Sequence, residues 1–241
     1  MGLALLSDIH ANKHALEAVW EDLERQRPEA VYCLGDLVGY GAYPNEVIGF
    51  LRQRGVPTVL GNYDDGVGFD LDECGCAYTT EADRERGQAS LYWSRAHTSD
   101  DAKAFLRSLP HEIRLEKTRP FLLLVHGSPR KINEYVYEDR PEASFERLAA
   151  LAQADVVAFG HTHRPYQKQV GTTLFVNTGS VGKPRDGDPR AGYVLLRLEA
   201  EPKVEIRRVA YDVEAAARAI REAGLPPHFA ELLVTGGLDA A

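Results

Sequence analysis

Gly2-Leu3-Ala4-Leu5-Leu6-Ser7-Asp8-Ile9-His10-Ala11-Asn12 holds a strand, two chemically active side chains and a helix start in a single short stretch. The apolar run over residues 2–7 has strand length. Asn12 is an N-cap type, and after it Ala15, Leu16, Val19, Trp20 and Leu23 recur at helical spacing while Glu17, Glu21 and Glu24 fall off that face. Pro28 stops the helix, and a second apolar run comes next over 31–34. Pro44 to Arg54 reads as a further short helix, with proline in its first turn and Gly55 at its end. Strand, helix and strand in this order predict an α/β sheet with right-handed crossovers.

Working outward, apolar runs of strand length recur over 56–60, 121–125, 155–159, 173–177, 192–198 and 203–210. Helical patterns occupy 80–96, 99–108, 142–153 and 213–223, the last closed by Gly224 and Pro226-Pro227. The strands from 173 to 210 have no helix between them, which predicts antiparallel pairing there. A mixed sheet arrangement with helices outside is the simplest sum. Between Asn62 and Phe121 no convincing strand pattern occurs, and residues 64–110 are expected to form a helical insertion over one end of the sheet, within a single domain spanning 1–241.

Thirty-six acidic against 28 basic side chains give a formal charge of −8, and no basic run stands out. A general nucleic-acid binder needs Lys and Arg to neutralise phosphates, so no extended nucleic-acid surface is expected. Three cysteines make no disulfide framework and fit a reducing compartment. Residues 2–7 lack a basic leader and read as a strand, and the longest apolar stretches, such as Phe121 to Val125, are far too short to span a bilayer. The expectation is a cytoplasmic protein with no membrane association.

The residues just after each strand carry the chemistry, because open α/β sheets bind ligands beyond the carboxyl ends of their strands. The first run ends in Asp8-Ile9-His10, the second in Gly35-Asp36, and the third in Gly61-Asn62-Tyr63-Asp64. Residues 121–125 lead into His126-Gly127, and 155–159 into Gly160-His161-Thr162-His163. Imidazole and carboxylate donors suit a transition-metal ion, and the absence of cysteine from these ends argues against a structural zinc cage or an iron–sulfur cluster. Seven donors, Asp8, His10, Asp36, Asn62, His126, His161 and His163, are too many for one ion. They suffice for two ions that share a bridging carboxylate.

In order, Asp-x-His, Gly-Asp, Gly-Asn-x-Asp, His and Gly-His-x-His resemble the motifs of the calcineurin-like metallophosphoesterases, and most closely their small bacterial phosphodiesterase branch. The resemblance runs from Asp8 to His163 and on into Asn177-Thr178-Gly179-Ser180. It implies a four-layer αββα sandwich of two mixed β-sheets flanked by helices. It also implies two divalent transition-metal ions, Mn foremost, with Fe, Zn, Co or Ni as alternatives. Asp8, His10 and His163 would hold one ion, Asn62, His126 and His161 the other, and Asp36 would bridge them. The activity implied is attack on a phosphate ester by a hydroxide held between the ions. Asp36, Asn62, Tyr63 and Asp64 are the candidate catalytic residues. The substrate would be a small phosphate ester, with nucleotide-derived esters among the candidates.

Tyr63 departs from the pattern, since most family members carry histidine there to protonate the leaving oxygen. Tyrosine donates a hydrogen bond but is a poor acid beside imidazole, so activated aryl diesters are expected to react more readily than alkyl monoesters. Rival readings are a protein-binding scaffold on the same fold, as in the retromer phosphoesterase-like subunit, and a protein or dinucleoside-polyphosphate phosphatase. Of the remaining features, His14, His111 and His228 read as surface residues and His97 as a charge partner at a helix C-terminus. Cys74 and Cys76 read as incidental thiols in an exposed loop, and Arg84, Arg86 and Arg95 as helix-surface arginines with phosphate reading as the alternative. Asn177 to Gly182, continuing into Lys183 and Arg185, lacks the Walker spacing and reads as a turn near the site. Ser128 lacks the Gly-x-Ser-x-Gly context of a serine hydrolase.

Overall fold

In the first strand, β1 (Gly2–Leu6), successive side chains face opposite ways, and both faces are apolar. Leu3 and Leu5 enter one buried cluster, whereas Ala4 and Leu6 enter another with Ala15, Leu16, Val19 and Leu23 of helix α1 (Lys13–Gln26). A strand apolar on both faces must be covered on both, and this strand therefore lies between a helical layer and a second sheet. The computed structural model describes residues 2–117 and 120–238.

One sheet has the order β2-β1-β8-β9, with β2 at Ala30–Cys33, β8 at Ala191–Arg197 and β9 at Lys203–Val209. β1 and β2 are parallel, and β8 joins β1 and β9 antiparallel. The other sheet has the order β3-β4-β5-β7-β6: β3 (Glu112–Leu115), β4 (Leu122–Val125), β5 (Val156–Phe159), β6 (Tyr166–Val170) and β7 (Thr173–Asn177). Its central strands β4, β5 and β7 are parallel, and both edge strands are antiparallel. Leu122, Leu124, Val156, Ala158 and Val176 meet Leu3, Leu5, Val194 and Leu196 between the sheets. Leu123, Val157, Phe159 and Phe175 face outward onto Phe145 and Leu148 of α6 (Glu142–Ala152). The expected αββα layering is what forms.

Helix α2 (Pro44–Gln53) starts at its proline, as read. The insertion contributes α3 (Asn62–Gly68), α4 (Glu81–His97) and α5 (Asp100–Arg107), and the C-terminal part contributes α7 (Val213–Glu222) and α8 (Pro227–Val234). Trp93 Nε1 in α4 donates to the Ala223 carbonyl after α7 at 2.8 Å, tying the insertion to the C-terminal helices.

Several expectations are corrected. Residues 56–60 do not form a strand among the described elements: Thr58 makes one bridge to Cys33, and the segment is otherwise extended chain beside β2. β7 does not pair with β8; the two lie in different sheets, and only β8 and β9 form the expected antiparallel pair. β3, within the stretch read as strandless, and β6 were both missed. Their sequences EIRL and YQKQV have alternating or polar patterns, as edge strands with one solvated side do. α3 and α8 were missed as well. α3 is a seven-residue helix containing two glycines, and the Pro226-Pro227 pair, read as a stop, sets proline in the first turn of a new helix.

Candidate metal centre

The parallel strands β1, β2, β4 and β5 all end at one edge of the sandwich, so residues far apart in sequence meet there. Asp8 and His10 follow β1, Asp36 follows β2, Asn62 opens α3, His126 follows β4, and His161 and His163 follow β5. All seven are buried. Asp8, His10 and His163 form one cluster with one ligand atom from each within 4.8 Å of the others, and Asp36, His126 and His161 form a second.

All of the donors but His161 are held by the side-chain atom that they do not present to the centre. His10 Nδ1 donates to the Val38 carbonyl at 2.9 Å, His126 Nδ1 to Leu34 at 2.7 Å, and His163 Nδ1 to Lys183 at 2.5 Å. Those bonds fix the tautomer and leave Nε2 as a lone pair. Asp8 Oδ2 accepts from Ser7 Oγ and from the His161 backbone, and Asp8 Oδ1, 3.3 Å from His163 Nε2, is buried with no hydrogen bond among the described residues. Asp36 Oδ1 accepts from the Tyr63 backbone at 2.8 Å, freeing Oδ2, which lies 3.5 Å from His126 Nε2 and 3.8 Å from His10 Nε2. Asn62 Nδ2 donates to the Cys74 carbonyl, turning its Oδ1 to within 3.0 Å of His126 Nε2. His161 Nε2 is a second buried orphan.

His10 Nε2 and His163 Nε2 approach to 3.1 Å. With both Nδ1 atoms donating outward, two lone pairs face each other, an arrangement that a cation between them satisfies and a hydrogen bond does not. Burial, then the neighbouring imidazoles, press His10 and His161 down to about 3, so both are neutral ligands. Burial alone would lower His126, but the Asp36 carboxylate outweighs it and lifts that imidazole to about 10, so a cation bound there would have to displace the Nε2 proton to take the lone pair. Burial raises Asp8 above the usual carboxylate range. The donor set therefore fits two divalent cations, with Asp36 Oδ2 directed at both clusters.

Backbone strain marks the same residues. Asp8, His10, Asp36, His161 and His163 sit at φ of 53°, 50°, 55°, 64° and 59°. Non-glycine residues adopt this left-handed region at a cost of about 1–3 kcal/mol each, and such residues cluster at functional sites. Two glycines make room: a Cβ on Gly160 would lie 2.3 Å from Asp8 Oδ2, and one on Gly61 would lie 2.2 Å from Asp36 Oδ1.

Residues 1–201 match the calcineurin-like phosphoesterase superfamily domain. The chain belongs to that family. The chain is 32% identical over 251 residues to an uncharacterized protein of Methanocaldococcus jannaschii, covering 97% of this chain and 98% of that one. It is 28% identical over 196 residues to phosphodiesterase YfcE of Escherichia coli, covering 81% and 87%. The crystal structure of a metallophosphoesterase from Sphaerobacter thermophilus superposes with a TM-score of 0.78 at 30% identity, covering 98% and 99%. A hypothetical protein of Pyrococcus horikoshii shares the fold, with a TM-score of 0.86 at 23% identity and 99% of both chains covered.

The remaining candidates separate clearly in this member of the calcineurin-like phosphoesterase family. Tyr63 is buried with its ring 4.6 Å from that of Tyr40, and its hydroxyl is directed at the Gly87 carbonyl in α4, 3.4 Å away. Burial holds that hydroxyl well above its ordinary pKa. Asp64 clamps two loops, accepting from the Leu37 backbone at 2.8 Å and the Gly61 backbone at 3.0 Å. The Asn177–Gly182 turn supports Asp8: Val181 and Gly182 donate backbone N–H groups to the Ser7 and Asp8 carbonyls, and Ser180 Oγ donates to Asp8. Ser128 Oγ donates to Glu134 within a loop, and the His97 ring stacks on Trp93. Arg95 binds Asp70 and Asp72. Arg84 pairs with Glu81, and Arg86 pairs with Asp83 while also lining a cleft beside the donors.

Two readings change. Cys74 is buried rather than exposed, and Cys76 Sγ lies 3.3 Å from Asn62 Nδ2, so the thiols border the metal centre. His228, read as surface, lines the same cleft as Arg86. The cleft residues Tyr40, Tyr135 and Arg140 escaped sequence reading, because lone aromatic and basic residues in loops carry no spacing signal.

Proposed function

We propose that this chain is a binuclear metal-dependent phosphoesterase acting on phosphodiesters. The observation that carries this reading is the set of inward donor atoms, six of the seven oriented by a hydrogen bond through the side chain's other atom. Asp8, His10 and His163 would hold one ion, Asn62, His126 and His161 the other, with Asp36 placed to serve both. When bound, such ions supply Lewis acidity and a nucleophile at neutral pH. The Nδ1-to-carbonyl bonds keep the imidazoles of His10, His126 and His163 in the ligating tautomer. Asn62, anchored through its amide nitrogen, presents a neutral oxygen, so only Asp8 and Asp36 bring negative charge to the centre.

Tyr63 supports the diester preference. Its hydroxyl is directed at Gly87 and burial holds it well above its ordinary pKa, so it is a poor proton source for an alkoxide leaving group, and esters with activated leaving groups are favoured. A scaffold role is the weaker reading, since docking a protein needs neither the strained donors nor their oriented lone pairs.

The test is metal analysis of the purified chain together with hydrolysis of bis-p-nitrophenyl phosphate under Mn²⁺. Two ions per chain and saturable turnover are expected. Two bound ions without turnover under any divalent cation would favour the scaffold, and preference for a phosphoserine peptide over the diester would replace the diester reading.

A further inference from the structure

Cys74 and Cys76 are free thiols whose Sγ atoms approach to 3.0 Å, about 1 Å beyond the length of a disulfide bond. Gly75 between them sits at φ 68°, in the left-handed region that glycine enters without strain. Its carbonyl accepts from Asn133 Nδ2 at 2.7 Å, so the turn that brings the two sulfurs together is pinned from a second loop. The third cysteine, Cys33, is fully buried in β2.

Position gives the pair its consequence. The Asn62 amide nitrogen has two acceptors, the Cys74 carbonyl at 3.0 Å and Cys76 Sγ at 3.3 Å, and together they turn Oδ1 toward His126 in the second cluster. Both acceptors sit on the small ring that a disulfide between Cys74 and Cys76 would close. Closure draws Cys76 Sγ toward Cys74 and re-aims the Cys74 carbonyl, so neither acceptor keeps its place under Asn62. Thiols that were incidental to the loop would not share the amide of a side chain directed at the metal centre. A cleft of about 280 Å³, lined by Cys74, Cys76, Tyr78, Arg84 and Gln88 among others, opens onto the pair, and none of the seven donors is among its described lining residues. A small uncharged oxidant thus has a path to the sulfurs that is separate from the substrate side.

We infer that Cys74 and Cys76 form a reversible oxidation site, closed to a disulfide by a peroxide, that weakens the ion held by Asn62, His126 and His161. The inference rests on the two-ion reading of the centre. Peroxide transfers an oxygen to one thiol: its O–O bond breaks, an S–O bond forms, and one water leaves. The other sulfur then attacks the sulfenic sulfur, an S–S bond forms, and the S–O bond breaks with release of a second water. Two thiols and one peroxide give one disulfide and two waters, with sulfur oxidised and peroxide reduced. A dithiol reductant returns both thiols by exchange and leaves as its own disulfide.

The experiment treats the Mn²⁺-loaded chain with hydrogen peroxide, removes the peroxide with catalase, and measures bound Mn²⁺ by equilibrium dialysis. Mass spectrometry of the tryptic peptide that holds both cysteines reads the disulfide as the loss of two hydrogens. Expected are that disulfide, binding of one of the two ions weakened about 10-fold, and recovery of both thiols and affinity with dithiothreitol. Cys74→Ser and Cys76→Ser, each compared with its own untreated state, should show no change of affinity on treatment. A disulfide that leaves Mn²⁺ affinity unaltered overturns the inference. So does failure of the disulfide to form, or a loss of affinity that persists in both serine variants. Turnover of bis-p-nitrophenyl phosphate by the reduced chain is a separate readout. Two bound ions without turnover defeat the phosphoesterase reading and leave the oxidation site standing.

Discussion

The backbone N–H of His161 donates to Asp8 Oδ2 at 3.0 Å, a bond that crosses from one sheet of the sandwich to the other. Asp8 follows β1 of the four-stranded sheet and His161 follows β5 of the five-stranded sheet. The bond fixes the first cluster relative to the second and turns Asp8 Oδ1 inward. The absent side chain of Gly160 permits the approach. The metal centre is thus a seam between two sheets, set by their relative position.

Asp36 is the one carboxylate directed at both clusters, so Asp36→Asn should affect both ions. Turnover of bis-p-nitrophenyl phosphate is expected to fall by about 100-fold or more, with bound metal dropping below two ions per chain by elemental mass spectrometry. Retained turnover with full metal content would refute a shared bridge.

Tyr63→His restores an imidazole where the phenol now faces Gly87. If leaving-group protonation limits the reaction, hydrolysis of phenyl phosphate should rise about 10-fold or more relative to bis-p-nitrophenyl phosphate. An unchanged ratio across a series of leaving groups would show that protonation comes from elsewhere.

The two thiols should behave differently. Asn62 Nδ2 faces the side chain of Cys76 but the backbone carbonyl of Cys74. Cys76→Ala is therefore expected to weaken the ion held by Asn62, His126 and His161 by about 10-fold, and Cys74→Ala to leave it nearly unchanged. Calorimetric titration of the apoprotein with Mn²⁺ measures both, and equal effects would remove the thiol from Asn62 positioning.

Away from the centre, Asp22 anchors α1 to the four-stranded sheet, accepting from Tyr193 Oη at 2.6 Å and from Arg207 Nε at 2.9 Å. Burial would raise its pKa, but these donors outweigh it and hold the carboxyl at about 2, below its ordinary 3.8. A depressed folded-state value means that the contribution is complete above the ordinary value and is lost as pH falls toward about 2. The melting temperature of wild type should consequently drop more steeply than that of Asp22→Asn below pH 3.8, and parallel curves would contradict the linkage.

The sequence by itself determined the donors. Asp8, His10, Asp36, Asn62, His126, His161 and His163 each come after an apolar run, and parallel strands bring such ends to one edge of a sheet. That much depends on local pattern and on the handedness of crossovers. The edge strands β3 and β6 stayed hidden because one solvated side dilutes their apolar signal, and the assignment of β7 and β8 to different sheets depends on long-range pairing.

Tertiary structure alone decided what surrounds the donors. Only packing turns the Tyr63 hydroxyl toward Gly87, sets Cys76 against Asn62, and joins the Asn177–Gly182 turn to Asp8. Only packing buries Lys183 beside Arg185 in a cleft shared with the insertion and α8. Ligand identity is written in spacing along the chain, whereas side-chain direction, burial and the pairing of charges arise from contacts between segments whose sequences do not refer to one another.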